Sequence, residues 1–255
     1  MTTPRSPRFT RFRAPMGWCS IIGGALLVAL ASCGRAPETP SAPSPGEGAE
    51  GTLSVVCTTA MIGDAARRIV GEHAEVQTLL GEGVDPHLYR ATRSDIATLM
   101  GADVVFYNGL LLEGKMTDAL VRAASGGRRV VAVTERIPDT DLLEPEVMDG
   151  PFDPHVRMDP LSWLGAVEVI RDELAEADPA HAEAYHENAE RYIAEIEALH
   201  AYCAAAFAGV PEGQRVLVTA HDAFNYLGRR YEFEVVGVQG LSTESEAGVR
   251  DVERL

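Results

Sequence analysis

The sequence predicts an α/β fold built on parallel sheets. Short apolar runs alternate with segments of helical period along most of the chain. The run ending at Tyr107 is apolar from Val104 onward, as a strand covered on both faces requires. His87 and His221 follow such runs, at the end of a parallel strand where open α/β sheets collect ligands.

Leu53 to Cys57 predicts the first strand. Met61, Ile62, Ala65, Ile69 and Val70 recur at helical spacing and predict the first helix. A second strand is expected over 76–80. The loop after it carries Gly81, Gly83 and Asp85-Pro86-His87. Ser94 is expected to cap the helix through Ile96, Leu99 and Met100, because its hydroxyl can accept from a free N–H of the first turn. The strand 103–107 follows, then a short helix holding Met116, Ala119, Leu120 and Val121, then a strand over 130–133. An acidic, proline-marked stretch, 138–154, delivers a second Asp-Pro-His at 153–155. Residues 161–177 read as an amphipathic helix.

A long helix is expected over 182–208, with an apolar face of Tyr185, Ala189, Tyr192, Ile193, Ile196, Leu199, Cys203 and Phe207. At 1.5 Å per residue it would span ~40 Å, about the width of a domain. A new βα pattern starts with the strand 216–219, and His221 lies two residues past it. A last strand, 234–238, leads to Ser242-Thr243-Glu244-Ser245-Glu246, where Thr243 and Glu246 predict a capping box.

The N-terminus reads as an address. Arg5, Arg8, Arg11 and Arg13 precede an apolar stretch, Ile21 to Ala31, too short for a membrane span of ~20 residues. Leu30-Ala31-Ser32-Cys33 looks like a bacterial lipobox, with Cys33 lipidated and first in the mature chain. Residues 34–51 are rich in Pro, Gly, Ser, Ala and Glu and read as a disordered tether. The expected divisions are therefore a signal peptide at 1–32, anchor and tether at 33–51, an N-terminal α/β lobe at 52–180, a linking helix at 181–208 and a partial C-terminal lobe at 209–255. The expected location is outside the cytoplasm, lipid-anchored to the cell membrane.

The formal net charge is −16, and −20 without residues 1–32, which hold four arginines and no acid. Such a surface excludes nucleic acid as a partner and draws cations toward it. Cys57 and Cys203 show no disulfide spacing and read as small buried hydrophobes.

The chemistry lies in His87, His155 and His221, each offered from a separate loop with a carboxylate one or two residues away. Neutral imidazole is the commonest metal ligand, and a nearby carboxylate fixes the ring. Three imidazoles suit zinc, whereas manganese prefers more oxygen. The other histidines, His73, His181, His186 and His200, read as structural or exposed; His181 and His186 are five apart and do not share a helix face. A catalytic zinc with an open fourth position is a rival reading, although no His-Glu-x-x-His is present. A surface adhesin is another.

These stretches resemble a known family. Residues 81–116, 152–160 and 218–248 match the metal-binding solute-binding lipoproteins of bacterial ABC importers, of TroA-like type, which take up manganese, zinc or iron(II). With the long helix, the resemblance covers most of 52–255. It implies two parallel-sheet lobes joined by one rigid long helix, with metal in the cleft between them. It implies His87 and His155 as ligands from the first lobe and His221 from the second. The cargo would be zinc or manganese, handed to a membrane permease by a monomer that performs no catalysis. In relatives the His221 position can be Glu, often in manganese binders. Arg157 stands where the family commonly has Trp. The family's fourth ligand is a carboxylate well downstream of Ser242-Thr243-Glu244-Ser245, so a shortened second lobe is expected here. Only Glu244 and Glu246 are carboxylates near enough to test. Zinc-dedicated relatives often carry a His-rich insertion before the second Asp-Pro-His, and this chain has none.

Overall fold

The computed structural model describes residues 52–145 and 152–244. The leader, Cys33, the tether, Glu246 and the last expected helix lie outside the described residues. Among the described residues, no helix is long and apolar enough to cross a membrane.

Four strands, β1 (Leu53–Cys57), β2 (Ala74–Thr78), β3 (Val104–Tyr107) and β4 (Arg129–Ala132), form one parallel sheet in the order β2-β1-β3-β4. Side chains alternate across it, and the sequence splits accordingly. Val55, Cys57, Val104 and Phe106 face one side, where they meet α1 (Ala60–Val70), α4 (Pro160–Ala177) and α5 (Ala182–Ala208). Val56 and Val105 face the other, against α2 (Arg93–Gly101) and α3 (Thr117–Ser125). Helices on both faces explain why the strands read as unbroken apolar runs. The strand order reverses between β1 and β3, so a crevice opens beyond their carboxyl ends.

A second sheet pairs β5 (Val216–His221) and β6 (Glu234–Gln239) in parallel, with α6 (Asn225–Tyr231) between them in sequence. The α/β class with parallel sheets and a 27-residue helix is as expected.

Several local expectations need correction. Strand β2 starts two residues early and ends two early, at Thr78, because its partner β1 is only five residues long and ends opposite it at Cys57. Thr92, not Ser94, caps α2. Its hydroxyl accepts from the Asp95 N–H, and the Asp95 carboxylate accepts from the Thr92 N–H, a reciprocal box that Ser94 is too far along to form. The helix α5 is covered unevenly: Tyr185, Ala189 and Ile196 are buried, but Leu199 is exposed. The first half packs on α1 and α4, whereas past Ile196 the Phe207 ring meets the rings of Tyr231 and Phe233. Cys57 and Cys203 are free, and only Cys57 is buried.

Candidate metal centre

The two Asp-Pro-His tripeptides fold alike. In each, the aspartate Oδ1 accepts from the N–H of the histidine two residues on, at 2.9 Å both times. This short side-chain-to-backbone turn is a common use of aspartate, and it throws the imidazole forward from the loop. Asp153 does more than Asp85: its Oδ1 also lies 2.7 Å from His155 Nδ1. With Nδ1–H donated there, the lone pair of Nε2 is left facing inward. The second oxygen of Asp85 instead accepts from Thr243 Oγ1. Thr243 was expected to cap a helix; here it ties the chain after β6 to the first histidine loop.

His221 is the last residue of β5, not two beyond it, because the β5–β6 ladder runs on to pair His221 with Gln239. From that strand end the ring reaches the other two. The three ring centroids are 5.2, 5.9 and 5.4 Å apart. One ligand atom from each lies within 4.8 Å of the others. His87 Nε2 and His155 Nε2 are 3.1 Å apart. At zinc–nitrogen distances of 2.0–2.1 Å, tetrahedral geometry sets nitrogens ~3.3 Å apart, so this pair is nearly placed for a shared ion.

Protonation suits the same use. Burial pushes His87 down to about 4, helped by His155 and opposed by Asp85. Burial, then His155, also lowers His221. Both rings are therefore neutral near pH 7, and a metal need not displace a proton from either.

The supporting network reaches back into the first sheet. Asn108, just past β3, donates from Nδ2 to the Pro154 carbonyl at 3.1 Å, holding the His155 loop. Glu113 Oε1 accepts from the Asn108 N–H and from Thr58 Oγ1, which follows β1. From α6, Tyr226 Oη donates to the Asp153 carbonyl and accepts from the Leu143 N–H, and Asn225 Nδ2 donates to Asp153 Oδ2. Arg230 grips Asp159, the N-cap of α4, with two hydrogen bonds. None of these partners was singled out from sequence. Asn108 and Thr58 carried the one usable signal, their position at strand ends beside the crevice.

Other expected residues lie elsewhere. Glu244 pairs with Lys115 at 3.5 Å and is not part of the cluster. His181 stacks on His73 with centroids 4.2 Å apart and contacts Asp178 through Nδ1. His200 Nδ1 meets the Tyr231 hydroxyl, and His186 is exposed. These four serve packing or solvent, as expected.

Known proteins share this arrangement of chain. The family model for zinc-uptake complex component A, periplasmic (ZnuA), matches residues 55–255. The manganese-binding lipoprotein MntA of Bacillus subtilis is 44% identical over 89% of this chain and 71% of its own length. The zinc-binding protein TroA of Treponema pallidum is 41% identical over 81% of this chain, which spans 66% of that relative. The solved structure of the periplasmic zinc-binding protein TroA superposes with a TM-score of 0.76 at 40% identity, covering 80% of this chain and 73% of that one.

Proposed function

Because the chain belongs to the family of zinc-uptake complex component A, periplasmic, we propose that His87, His155 and His221 hold its cargo, a divalent transition-metal ion. Members of this solute-binding family are not enzymes. They bind zinc, manganese or iron outside the cytoplasm for uptake by an ABC transporter, and this chain does the same. The permease of such a transporter is the partner this role implies.

The convergence of three imidazoles from two sheets carries the residue assignment. His87 and His155 come from loops braced by the first sheet, and His221 ends β5 of the second. A metal that binds all three links the sheets. The long helix α5 packs against α1 and α4 at one end and reaches Tyr231 of α6 and Phe233, just before β6, at the other. In this reading α5 limits the relative motion of two lobes, so loading tilts them slightly and orders loops rather than closing a wide hinge. Zinc and manganese are both candidates: three nitrogen donors suit zinc, and the similar proteins are named for either metal. Cys33 is the proposed lipid anchor.

Elemental analysis of the protein purified without added metal tests the assignment. About one zinc or manganese per chain is expected, with most of it lost in His87→Ala and in His221→Ala. Metal content unchanged in both variants would remove these histidines from the site. Mass spectrometry of the membrane-extracted protein, with acyl mass on Cys33 or without it, decides the anchor.

A further inference from the structure

Arg157 follows His155 by two residues, in the 3-10 turn Val156–Met158. Other arginines of the fold direct their guanidinium at carboxylates. Arg230 takes both oxygens of Asp159, and Arg129 bridges Glu173 and Glu176. Among the described residues Arg157 has no such partner, and its Nη1 is buried without a hydrogen bond. A guanidinium cannot shed its proton, so a buried N–H left unpaired on it costs stability.

The charge is felt at the histidines instead. Behind burial and the neighbouring rings, Arg157 also pushes His87 and His221 down, so it opposes positive charge on both. A bound dication would meet the same field with twice a proton's charge. The acids around the site work the other way. Asp85 is bonded to the His87 N–H and Thr243, and Asp153 to His155 and Asn225. Asp222 acts on His155 and His221. Glu113, Asp153 and Asp85 are the carboxyls whose fields reach Arg157. Glu113 Oε2 and Asp222 Oδ1 are themselves buried and unpaired, so neither closes on the guanidinium. These acids favour a cation and Arg157 opposes it. Removing that one charge shifts the balance by the same amount whatever the acids sum to, and whatever further ligand completes the ion's coordination.

We propose that Arg157 limits the affinity of this site: its fixed charge weakens the hold on a divalent cation so that captured cargo can be given up. The inference rests on the assignment of the three histidines as ligands. A carboxylate that orients an imidazole, as Asp153 does for His155, strengthens metal binding, and a carrier that never lets go delivers nothing. Arginine has no lone pair to offer, so it acts through its field and not as a ligand. Coulomb repulsion depends on the ion's charge and not on its identity. Arg157 therefore loosens zinc and manganese alike. It sets how firmly the site holds a dication and leaves the choice of metal to the donor atoms.

The test measures zinc and manganese binding by competition with a chelating dye. It compares the native protein with Arg157→Gln, Arg157→Met and Arg157→Lys, each checked for fold by circular dichroism. Both neutral variants should bind zinc about tenfold more tightly or better, and manganese by a similar factor. Zinc should also leave them more slowly in stopped-flow release. Arg157→Lys keeps the charge and should stay within a few-fold of the native protein, which a role in packing would not give. The two neutral side chains differ in polarity, so if one fails to fold the other decides. Zinc affinity unchanged or weakened in the folded neutral variants would overturn the proposal, as would an equal tightening in Arg157→Lys. The His87→Ala control separates the two levels. Zinc binding that survived it would overturn the ligand assignment. Zinc binding lost in His87→Ala yet indifferent to the charge at position 157 would overturn the role of Arg157 alone.

Discussion

Replacing Tyr226 with phenylalanine isolates a single hydroxyl that joins α6 to the His155 loop. The ring is fully buried among Ile137, Leu142 and Val156, and phenylalanine keeps its volume. What disappears is one oxygen that donates to the Asp153 carbonyl at 2.8 Å and accepts from the Leu143 N–H at 3.0 Å. Burial pushes the phenol up to about 12, so its proton stays in place at any working pH. The Asp153 carbonyl is buried, and losing its partner costs ~1–3 kcal/mol. The Leu143 N–H is only part-buried, so water recovers some of its bond and the loss is ~0.5–1.5 kcal/mol. Together the change should cost ~2–4 kcal/mol. With a urea slope of ~2 kcal/mol/M, the unfolding midpoint would fall by ~1–2 M at an unchanged slope. Zinc affinity should also fall several-fold, because the loop that moves carries Asp153, and Asp153 orients His155. A stability loss under ~0.5 kcal/mol, smaller than the range for one ordinary hydrogen bond, would refute the view that this hydroxyl locks the two segments together.

Asp153→Asn should keep the turn, since the amide oxygen still accepts from the His155 N–H, but it withdraws the carboxylate from Nδ1. A loss of about 10- to 100-fold in zinc affinity is expected by competition with a chelating dye. Thr92→Ala removes the hydroxyl half of the capping box on α2 and should cost ~1 kcal/mol in chemical unfolding, with zinc affinity unchanged. The Asp159–Arg230 pair makes a pH prediction. Burial would raise the Asp159 carboxyl, but Arg230 and the Ser162 hydroxyl outweigh it and hold it below the usual range. Its contribution is thus complete above the unfolded value of about 3.9 and is lost as pH falls through the lower folded value. Urea midpoints taken from pH 6 down to pH 2 should fall less steeply below pH 4 in Asp159→Asn than in the native protein; parallel curves would show that the pair does not couple folding to protonation.

Much of the first sheet was legible in the chain because its determinants are local. A strand buried on both faces must be apolar at every position, and Val104 to Tyr107 is. The long helix was legible for a similar reason, and its observed bounds match those expected. The misreadings arose where a partner decides. Strand β2 stops where β1 stops. Leu199 keeps helical spacing yet stays exposed, because no element of the described fold covers that turn. Ser94 is as good a cap as Thr92 by composition, and only the placement of Asp95 beneath the Thr92 N–H chooses between them.

The histidine triad divides in the same way. Repetition of Asp-Pro-His and the strand-end position of His221 nominated the three residues without any structure, since each motif is a short-range device that presents one ring. Their meeting is a tertiary fact. It depends on the sheet order that opens the crevice, on Asn108 holding one loop, and on Tyr226 and Arg230 holding α6 beside it. Contacts between residues 46 or more positions apart leave no period in a single chain, so only the folded molecule shows which of seven histidines come together.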